Sequence, residues 1–389
     1  MLISTYMDSN HHTLGQYFTT DINLKKKVSE FILNQPERIL EPSVGQGDLI
    51  EIIQQNHKEI EFDMYEIDRS ISLLKGIPDN VMYGDFMQQS IMKQYKTIVG
   101  NPPFVRTQQG NLYIDFTRKC YELLESDGEL IFIVPSDFFK LTCSSKLLNT
   151  MLQNGTFTHI YHPHNEKLFK NASIDVIVFR YCKSNLLEKE VLYNEKKLYI
   201  INSNGCVTFD NHANSSTIVF RNYFDIYVGL VSGKESIYKN KLGNMKILNG
   251  EGIENPYIYI EEFPCANEQI NSYLLSHKNS LIQRKIRKFN DNNWFEWGAP
   301  RNISTMKKNL GKDCIYLYGL TRKTKVAFRG KVTYFGGGLL MLLPKEKIDL
   351  DSIVSYINSD SFKQNFMFSG RFKIGHRQIS NSYIDLNSL

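Results

Sequence analysis

Asn101-Pro102-Pro103-Phe104 follows an apolar run, Ile98-Val99-Gly100, and gathers unusual chemistry into four residues. The two prolines remove backbone donors and force a rigid, extended chain. Rigidity sets the Asn101 amide and the Pro102 carbonyl side by side as hydrogen-bond acceptors, and Phe104 offers a flat face for stacking. A plain loop with a Pro-Pro turn has the same composition, so the weight of the segment comes from the residues upstream of it. There, Leu40-Glu41-Pro42-Ser43-Val44-Gly45-Gln46-Gly47-Asp48 runs from an apolar strand through a glycine turn into a helix. Glycines let a ligand approach the backbone, and a helix N-terminus offers free N–H groups. The turn is shorter than a dinucleotide fingerprint and carries acids, Glu41 and Asp48, which suit a cationic nucleoside better than phosphates. Taken alone it is equally an ordinary strand–helix turn. Met64-Tyr65-Glu66-Ile67-Asp68 places Glu66 about 20 residues past the glycines, where a carboxylate reaches ribose hydroxyls. In Tyr83-Gly84-Asp85-Phe86 the acid is an acceptor for a purine amine and the ring a cover for a purine face. Strand-end acids also serve as helix caps. Their succession, in order, is what singles these out.

The elements that must hold these residues alternate along the chain. Strands are expected at 38–40, 61–65, 97–99, 130–134, 159–161 and 174–179, and helices near 24–34, 48–56, 113–124 and 144–154. Such alternation predicts an α/β fold, a mainly parallel sheet with helices on both faces, with ligands at the carboxyl ends of the strands. Residues 185–220 are rich in Asn, Ser and Lys and read as an edge element and linker. Later residues are irregular, with many Tyr and Phe. The expected division is therefore a first domain at 1–185, an edge element and linker at 186–220, and a mixed α+β domain at 221–389.

Composition narrows the classes. The 389 residues are 42% hydrophobic and 22% charged, which is ordinary for globular chains. No run approaches the ~20 apolar residues of a membrane span, and Met1 to Asn10 lacks a signal-peptide pattern. Six scattered cysteines without a C-x-x-C pair suggest reduced thiols in a cytoplasmic protein, with no metal site. His162-Pro163-His164 lacks the further ligands a metal needs and reads as structural. The net charge of +5 is unevenly placed: residues 221–389 hold 25 Lys/Arg against 15 Asp/Glu, and residues 1–220 hold 21 against 26. A basic second half suggests a polyanionic partner. Trp294-Phe295-Glu296-Trp297 reads as core or domain interface.

Together these segments resemble the DNA adenine N6-methyltransferases of restriction–modification systems, in the gamma-class order with the cofactor motif first and target recognition last. Gly15-Gln16-Tyr17-Phe18-Thr19-Thr20 looks like the N-terminal cofactor motif, and Asn101-Pro102-Pro103-Phe104 matches the (D/N/S)-P-P-(Y/F) motif. Ile133-Val134-Pro135-Ser136-Asp137-Phe138-Phe139 resembles the strand and loop next in that order, and residues 167–177 the late motif whose aromatic residue holds an extruded base. The resemblance covers residues 13–182. It implies a Rossmann-like class I methyltransferase domain that binds S-adenosylmethionine, and a C-terminal domain that recognises double-stranded DNA. It assigns catalysis to Asn101, Pro102, Pro103 and Phe104, whose acceptors would take the two hydrogens of an adenine amine. It assigns the cofactor to Tyr17, Phe18, Thr19, Thr20, Glu41, Pro42, Ser43, Gly45, Gly47, Asp48, Glu66, Ile67, Asp85, Phe86 and Asn101. Base stacking would fall to Phe104 and Phe169. DNA contact would come from Arg284, Lys285, Arg287, Lys288, Arg322, Lys323, Lys325, Arg371, Lys373 and Arg377. A free-standing monomer is expected, with a restriction endonuclease as functional rather than physical partner. Methylation of RNA adenine, or of a protein glutamine amide, uses related chemistry and stays open as an alternative.

Overall fold

A computed structural model describes residues 17–107, 110–169, 172–184, 189–212 and 218–384. Gly15, Gln16, Lys170 and Asn171 of the expected motifs lie outside the described residues. The chain divides into two compact units, residues 1–217 with 368–370, and residues 218–367 with 371–389.

In the first unit, helix α1 (Ile22–Glu30) starts where the Asp21 carboxylate accepts from the amides of Asn23 and Leu24, and it buries Leu24 and Val28. Strand β1 (Arg38–Glu41) leads into helix α2 (Asp48–Asn56), which buries Leu49, Ile50, Ile52 and Ile53. Then come β2 (Glu61–Glu66), β3 (Val81–Tyr83) and β4 (Tyr95–Gly100). The β3–β4 connection holds a single 3-10 turn, Phe86–Gln88. Two short strands, β5 (Arg106–Thr107) and β6 (Gly110–Asn111), pair before helix α3 (Leu112–Glu122). The long β7 (Leu124–Pro135), helix α4 (Ser145–Gln153), β8 (Gly155–Tyr161) and β9 (Val176–Lys183) come after it. Last come β10 (Glu190–Tyr193), β11 (Lys196–Ser203) and β12 (Cys206–Asp210).

These form one ten-stranded sheet, ordered β12-β11-β10-β8-β9-β7-β4-β1-β2-β3. From β3 to β7 the pairings are parallel, and β9 runs against both β7 and β8. The α/β class is as expected. The chain leaves β1 towards β3 and returns to β4 on the other side of β1. That switch point opens a crevice at the carboxyl ends of β1 and β4. Residues Leu130 to Val134 of β7 have no exposed surface, as a strand covered on both faces requires.

The expected edge element and linker contain an edge extension of the sheet. Residues 190–210 are three strands that extend the sheet, so the first unit runs to residue 217. Val191, Leu198, Ile200, Val207 and Phe209 bury their side chains in the main core. Their alternation at period two was masked by the polar residues between them.

A buried ion pair ties the lower end of the sheet together. The Glu129 carboxylate, with no exposed surface, accepts from Arg180 Nε at 2.7 Å, Thr97 Oγ1 at 2.9 Å, and the amides of Leu33 at 3.2 Å and Asn34 at 3.1 Å. It joins β4, β7 and β9 to the end of α1.

In the second unit, β13 (Phe224–Val228) is followed by a hairpin of β14 (Met245–Leu248) and β15 (Glu254–Tyr257). Strands β16 (Asp313–Tyr318), β17 (Leu320–Thr321), β18 (Ala327–Lys331) and β19 (Leu339–Pro344) come next. An antiparallel sheet runs β13-β19-β16-β18. Trp294, Phe295 and Trp297 are core residues of this unit, and the Trp297 indole donates to the Ile258 carbonyl at 2.8 Å. Among the described residues no helix is long and apolar enough to cross a membrane.

Removing one partner from a buried pair leaves an uncompensated charge. Arg180→Ala should lower stability by ~3–5 kcal/mol, read from urea unfolding. A loss under ~1 kcal/mol would show that water reaches Glu129.

Candidate active site

Each acidic or polar segment sits at the carboxyl end of its strand, because a parallel strand stops where its chain turns into the next connection. Two glycines make the convergence possible. A Cβ on Gly100 would lie 3.0 Å from the Phe132 ring and 3.1 Å from Glu41 Oε1, so β4 approaches β1 this closely only with glycine. Gly45 has φ +55°, and a Cβ there would press on the Phe18 ring at 3.2 Å.

The resulting cleft is lined by Tyr17, Phe18, Pro42, Ser43, Gly45, Glu66, Ile67, Asp85, Phe86, Asn101 and Pro103, all expected from the sequence. Ile71, Gly84, Val105, Leu112 and Phe116 join them. Leu112 and Phe116 are one turn apart on α3, an i, i+4 pair that marks one helix face, and this was the available signal.

Glu66 shapes one wall. Its two carboxylate oxygens accept from the amides of Gly45 and Asp68, each at 2.9 Å. Burial pushes its carboxyl above the usual range although backbone N–H groups pull it down. Asp85 accepts from the Met87 amide and from Gln88 Nε2, each at 2.9 Å. Phe86 and Phe116 stack at 5.4 Å to form an apolar floor. Lys119 holds that turn by donating to the carbonyls of Met87 at 3.2 Å and Gln89 at 2.7 Å.

At the β4 end, Asn101 Nδ2 donates to the Tyr17 carbonyl at 2.7 Å and to Thr19 Oγ1 at 3.0 Å. Both amide hydrogens are thus used, which also orients the side chain. Asn101 Oδ1 is buried and has no hydrogen-bond partner among the described residues. Ser43 Oγ donates to the Asn101 carbonyl at 3.3 Å and bridges the glycine turn to this segment. Phe104 stacks on Tyr17 at 5.7 Å and meets Phe169 edge-on at 6.0 Å, so three rings flank Asn101. Pro102 is buried beneath them.

Several expected site residues stand elsewhere. Glu41 is 1% exposed and lies behind the cleft, its Oε1 accepting from the Ser43 amide at 3.2 Å. Burial pushes its carboxyl from 4.5 up to about 8, which favours the protonated form at neutral pH. Asp48 turns away towards α1, 3.7 Å from Lys25 Nζ. Gly47 sets the turn at φ +89°, Thr19 supports Asn101 from beneath, and Thr20 is exposed. None of these five lines the cleft, nor do Pro102, Phe104 and Phe169.

The expected polyanion contacts divide similarly. Arg284 is 7% exposed and donates to the carbonyls of Leu281, Ser232, Trp294 and Glu296 at 2.6 to 3.0 Å, with Phe289 3.8 Å beneath its guanidinium. It is therefore an internal brace and, against the expectation, its guanidinium is turned to carbonyls of the interior and not to a phosphate. Arg287 donates to Glu296 and to the Trp297 carbonyl. Lys285, Lys288, Arg322, Lys325 and Lys373 are exposed. Lys323 is exposed too, though its ammonium donates to the Glu251 carbonyl at 2.9 Å. Arg371 and Arg377 are half-buried.

The donor set fits a nucleoside. Glu66 has lone pairs left for vicinal hydroxyls, Asp85 is an acceptor beside an aromatic floor, and Gly45 lines the cleft without a side chain. Among the described residues no cluster of His, Cys, Asp and Glu could hold a metal.

Residues 22–169 match the Eco57I restriction-modification methylase family. The Type II methyltransferase M.HincII of Haemophilus influenzae is 28% identical over 210 residues, 48% of this chain and 41% of that protein. Ribosomal RNA small subunit methyltransferase A of Aster yellows witches'-broom phytoplasma is 28% identical over 114 residues, 25% of this chain and 42% of that protein. The match thus spans about two fifths of these relatives' length. The Type IIL restriction-modification enzyme MmeI, solved in complex with DNA, shares the fold over 97% of this chain and 65% of its own, with 9% identity and a TM-score of 0.59.

Glu41 gives a pH signature. Its folded value of about 8 exceeds the ordinary 4.5, so its contribution to stability is complete below pH ~4.5 and lost as pH rises through ~8. Glu41→Gln should flatten that fall in urea unfolding of the ligand-free protein. Parallel pH curves for the two proteins would mean that the carboxyl is ionised.

Proposed function

We propose that this chain is a DNA methyltransferase of a restriction–modification system, acting on the N6 amine of an adenine turned out of the duplex. The carrying observation is Asn101 Oδ1, a buried acceptor whose own amide hydrogens are already spent on Tyr17 and Thr19. A buried unpaired acceptor is expensive unless a ligand completes it.

S-adenosylmethionine, the donor this site fits, supplies an electrophilic methyl group when bound. Glu66 takes the ribose hydroxyls, and Asp85 with Phe86 takes the purine. Asn101 Oδ1 and the Pro102 carbonyl, next along the same rigid segment, accept the two hydrogens of the target amine. Those bonds favour a pyramidal nitrogen with a localised lone pair. That lone pair would take the methyl group that the bound donor supplies, and the surplus proton of the amine would leave to water. An amide is no base, so Asn101 acts by position and preorganised dipole. Phe104 and Phe169 stack on the extruded base and offset the few kcal/mol of unstacking. Because Tyr17 covers the Phe104 face, its ring moves aside when a base enters.

A nucleic acid is favoured over a protein glutamine by the basic residues of the second unit, an exposed electrostatic footprint of Lys285, Lys288, Arg322 and Lys325, and DNA is favoured over RNA by the likeness to restriction-modification methylases. Cytosine presents the same pair of amine hydrogens. Sequencing that scores both N6-methyladenine and N4-methylcytosine in DNA from expressing cells separates the two. N4-methylcytosine alone, or neither mark, sinks the proposal.

Asn101→Ala should lower methyl transfer by about 10²–10³-fold while calorimetry still finds cofactor binding. Near-wild-type turnover would remove Asn101 from the mechanism. Lys285→Ala with Lys288→Ala should weaken DNA binding evenly across sequences and make its log–log salt slope shallower by roughly 1–2. An unchanged slope would place both lysines off the phosphates.

A further inference from the structure

Between β8 and β9 the chain runs from His162 to Asp175 and carries Phe169 to the Tyr17 and Phe104 rings. His162 and Asp175, at the two ends of this excursion, are 4% and 8% exposed. His162 Nε2 lies 2.9 Å from Asp175 Oδ2, and Ser136 Oγ donates to the same oxygen at 2.6 Å. Tyr193 OH lies 2.8 Å from His162 Nδ1. Backbone bonds reinforce the neck. Asn194 Oδ1 accepts from the His162 amide at 2.7 Å, Asn194 Nδ2 donates to the His162 carbonyl at 2.9 Å, and the Ser136 amide donates to the Asp175 carbonyl at 2.9 Å.

The polarity of the chain of bonds is set by the carboxylate. Burial by itself raises Asp175, yet the bonds from His162 and Ser136 outweigh it and hold the carboxyl below the usual range. An ionised Asp175 draws the proton of Nε2, and Nδ1 on the far side of the ring meets the Tyr193 hydroxyl. Ser136 and His162 both address the carboxylate, so the imidazole does not reach the serine hydroxyl as a base must. The order excludes a nucleophilic triad. What remains is a buried, hydrogen-bonded closure of a loop that carries the Phe169 ring.

We propose that the His162–Asp175 pair is a clasp that positions Phe169 for stacking on the extruded base. Neither residue touches the base, so both are positioning residues. The role rests on the proposed assignment of Phe169 and Phe104 to the target base. With the clasp open, the excursion samples conformations in which Phe169 has left its place. The competent fraction falls, and turnover on DNA falls with it, while the cofactor cleft keeps its lining residues and loses only the Phe169 ring packed on Tyr17.

The test uses the full chain and Asp175→Ala, with Asp175→Asn as the conservative variant that keeps an acceptor oxygen. Hydrogen exchange should quicken across 163–174 in Asp175→Ala and stay as in wild type elsewhere in the first unit. S-adenosylmethionine affinity should fall far less than turnover, since Phe169 reaches the cofactor cleft only through the Tyr17 ring. kcat/KM for methylating unmodified duplex DNA should fall by about 10²-fold, as a displaced positioning group implies. Asp175→Asn should recover most of both losses. Should Asp175→Ala fail to fold, Tyr193→Phe, which removes a single hydroxyl, should show the same pattern in smaller degree. Wild-type exchange in 163–174, or wild-type turnover despite fast exchange there, overturns the clasp alone. A wild-type protein that transfers no methyl group to any DNA overturns the DNA assignment and, with it, the purpose given to the clasp.

Discussion

The side-chain amide of Asn101 is tied by both its hydrogens to the Tyr17 carbonyl and Thr19 Oγ1, and this leaves its oxygen buried and unspent. Much of the first unit serves that single acceptor. The β4 strand delivers it, Pro102 and Pro103 stiffen the chain immediately after it, and the residues before α1 cross the strand ends to hold it. Gly100 lets β4 lie against Glu41 and Pro42 without a side chain between them. Ser43 then couples the glycine turn to the Asn101 carbonyl. A site that accepts hydrogens from a weakly nucleophilic amine gains from such rigidity, because reorganisation at the moment of reaction would cancel the benefit.

The acids around the cleft divide their work by burial. Glu66 opens onto the cleft, with its oxygens oriented by backbone N–H groups. Glu41 sits behind it in a setting dry enough to keep its proton. Asp48 pairs with Lys25 and belongs to the α1–α2 contact. Three carboxyl groups within one short stretch of chain and its neighbour thus have three different chemical characters. The low-dielectric environment decides each of them, since an uncompensated buried charge is what a fold avoids.

The second unit shows the same selection among basic residues. Arg284 reads in sequence like its neighbours Lys285 and Lys288, yet four carbonyls surround its guanidinium and an aromatic ring lies beneath it. A planar fork of five donors suits that interior position better than an ammonium would. The exposed lysines beside it are presented by a loop that Arg284 braces.

The sequence by itself determined the order of the strands' chemical endings, the rigid Asn-Pro-Pro-Phe segment and the α/β class, because these depend on local periodicity and backbone restriction. Helix α2 falls on the expected residues for the same reason: a glycine turn, acids in its first turn and an apolar stripe are all local. Tertiary structure alone decided which acids face the cleft, that Leu112 and Phe116 complete it, and that residues 190–210 extend the sheet. It also decided that Arg284 is a brace and that His162 meets Asp175. Each of those outcomes hangs on solvent exclusion by residues far away in the chain. A side chain's charge state and partners are set by what surrounds it in space, and residue type and spacing do not carry that information.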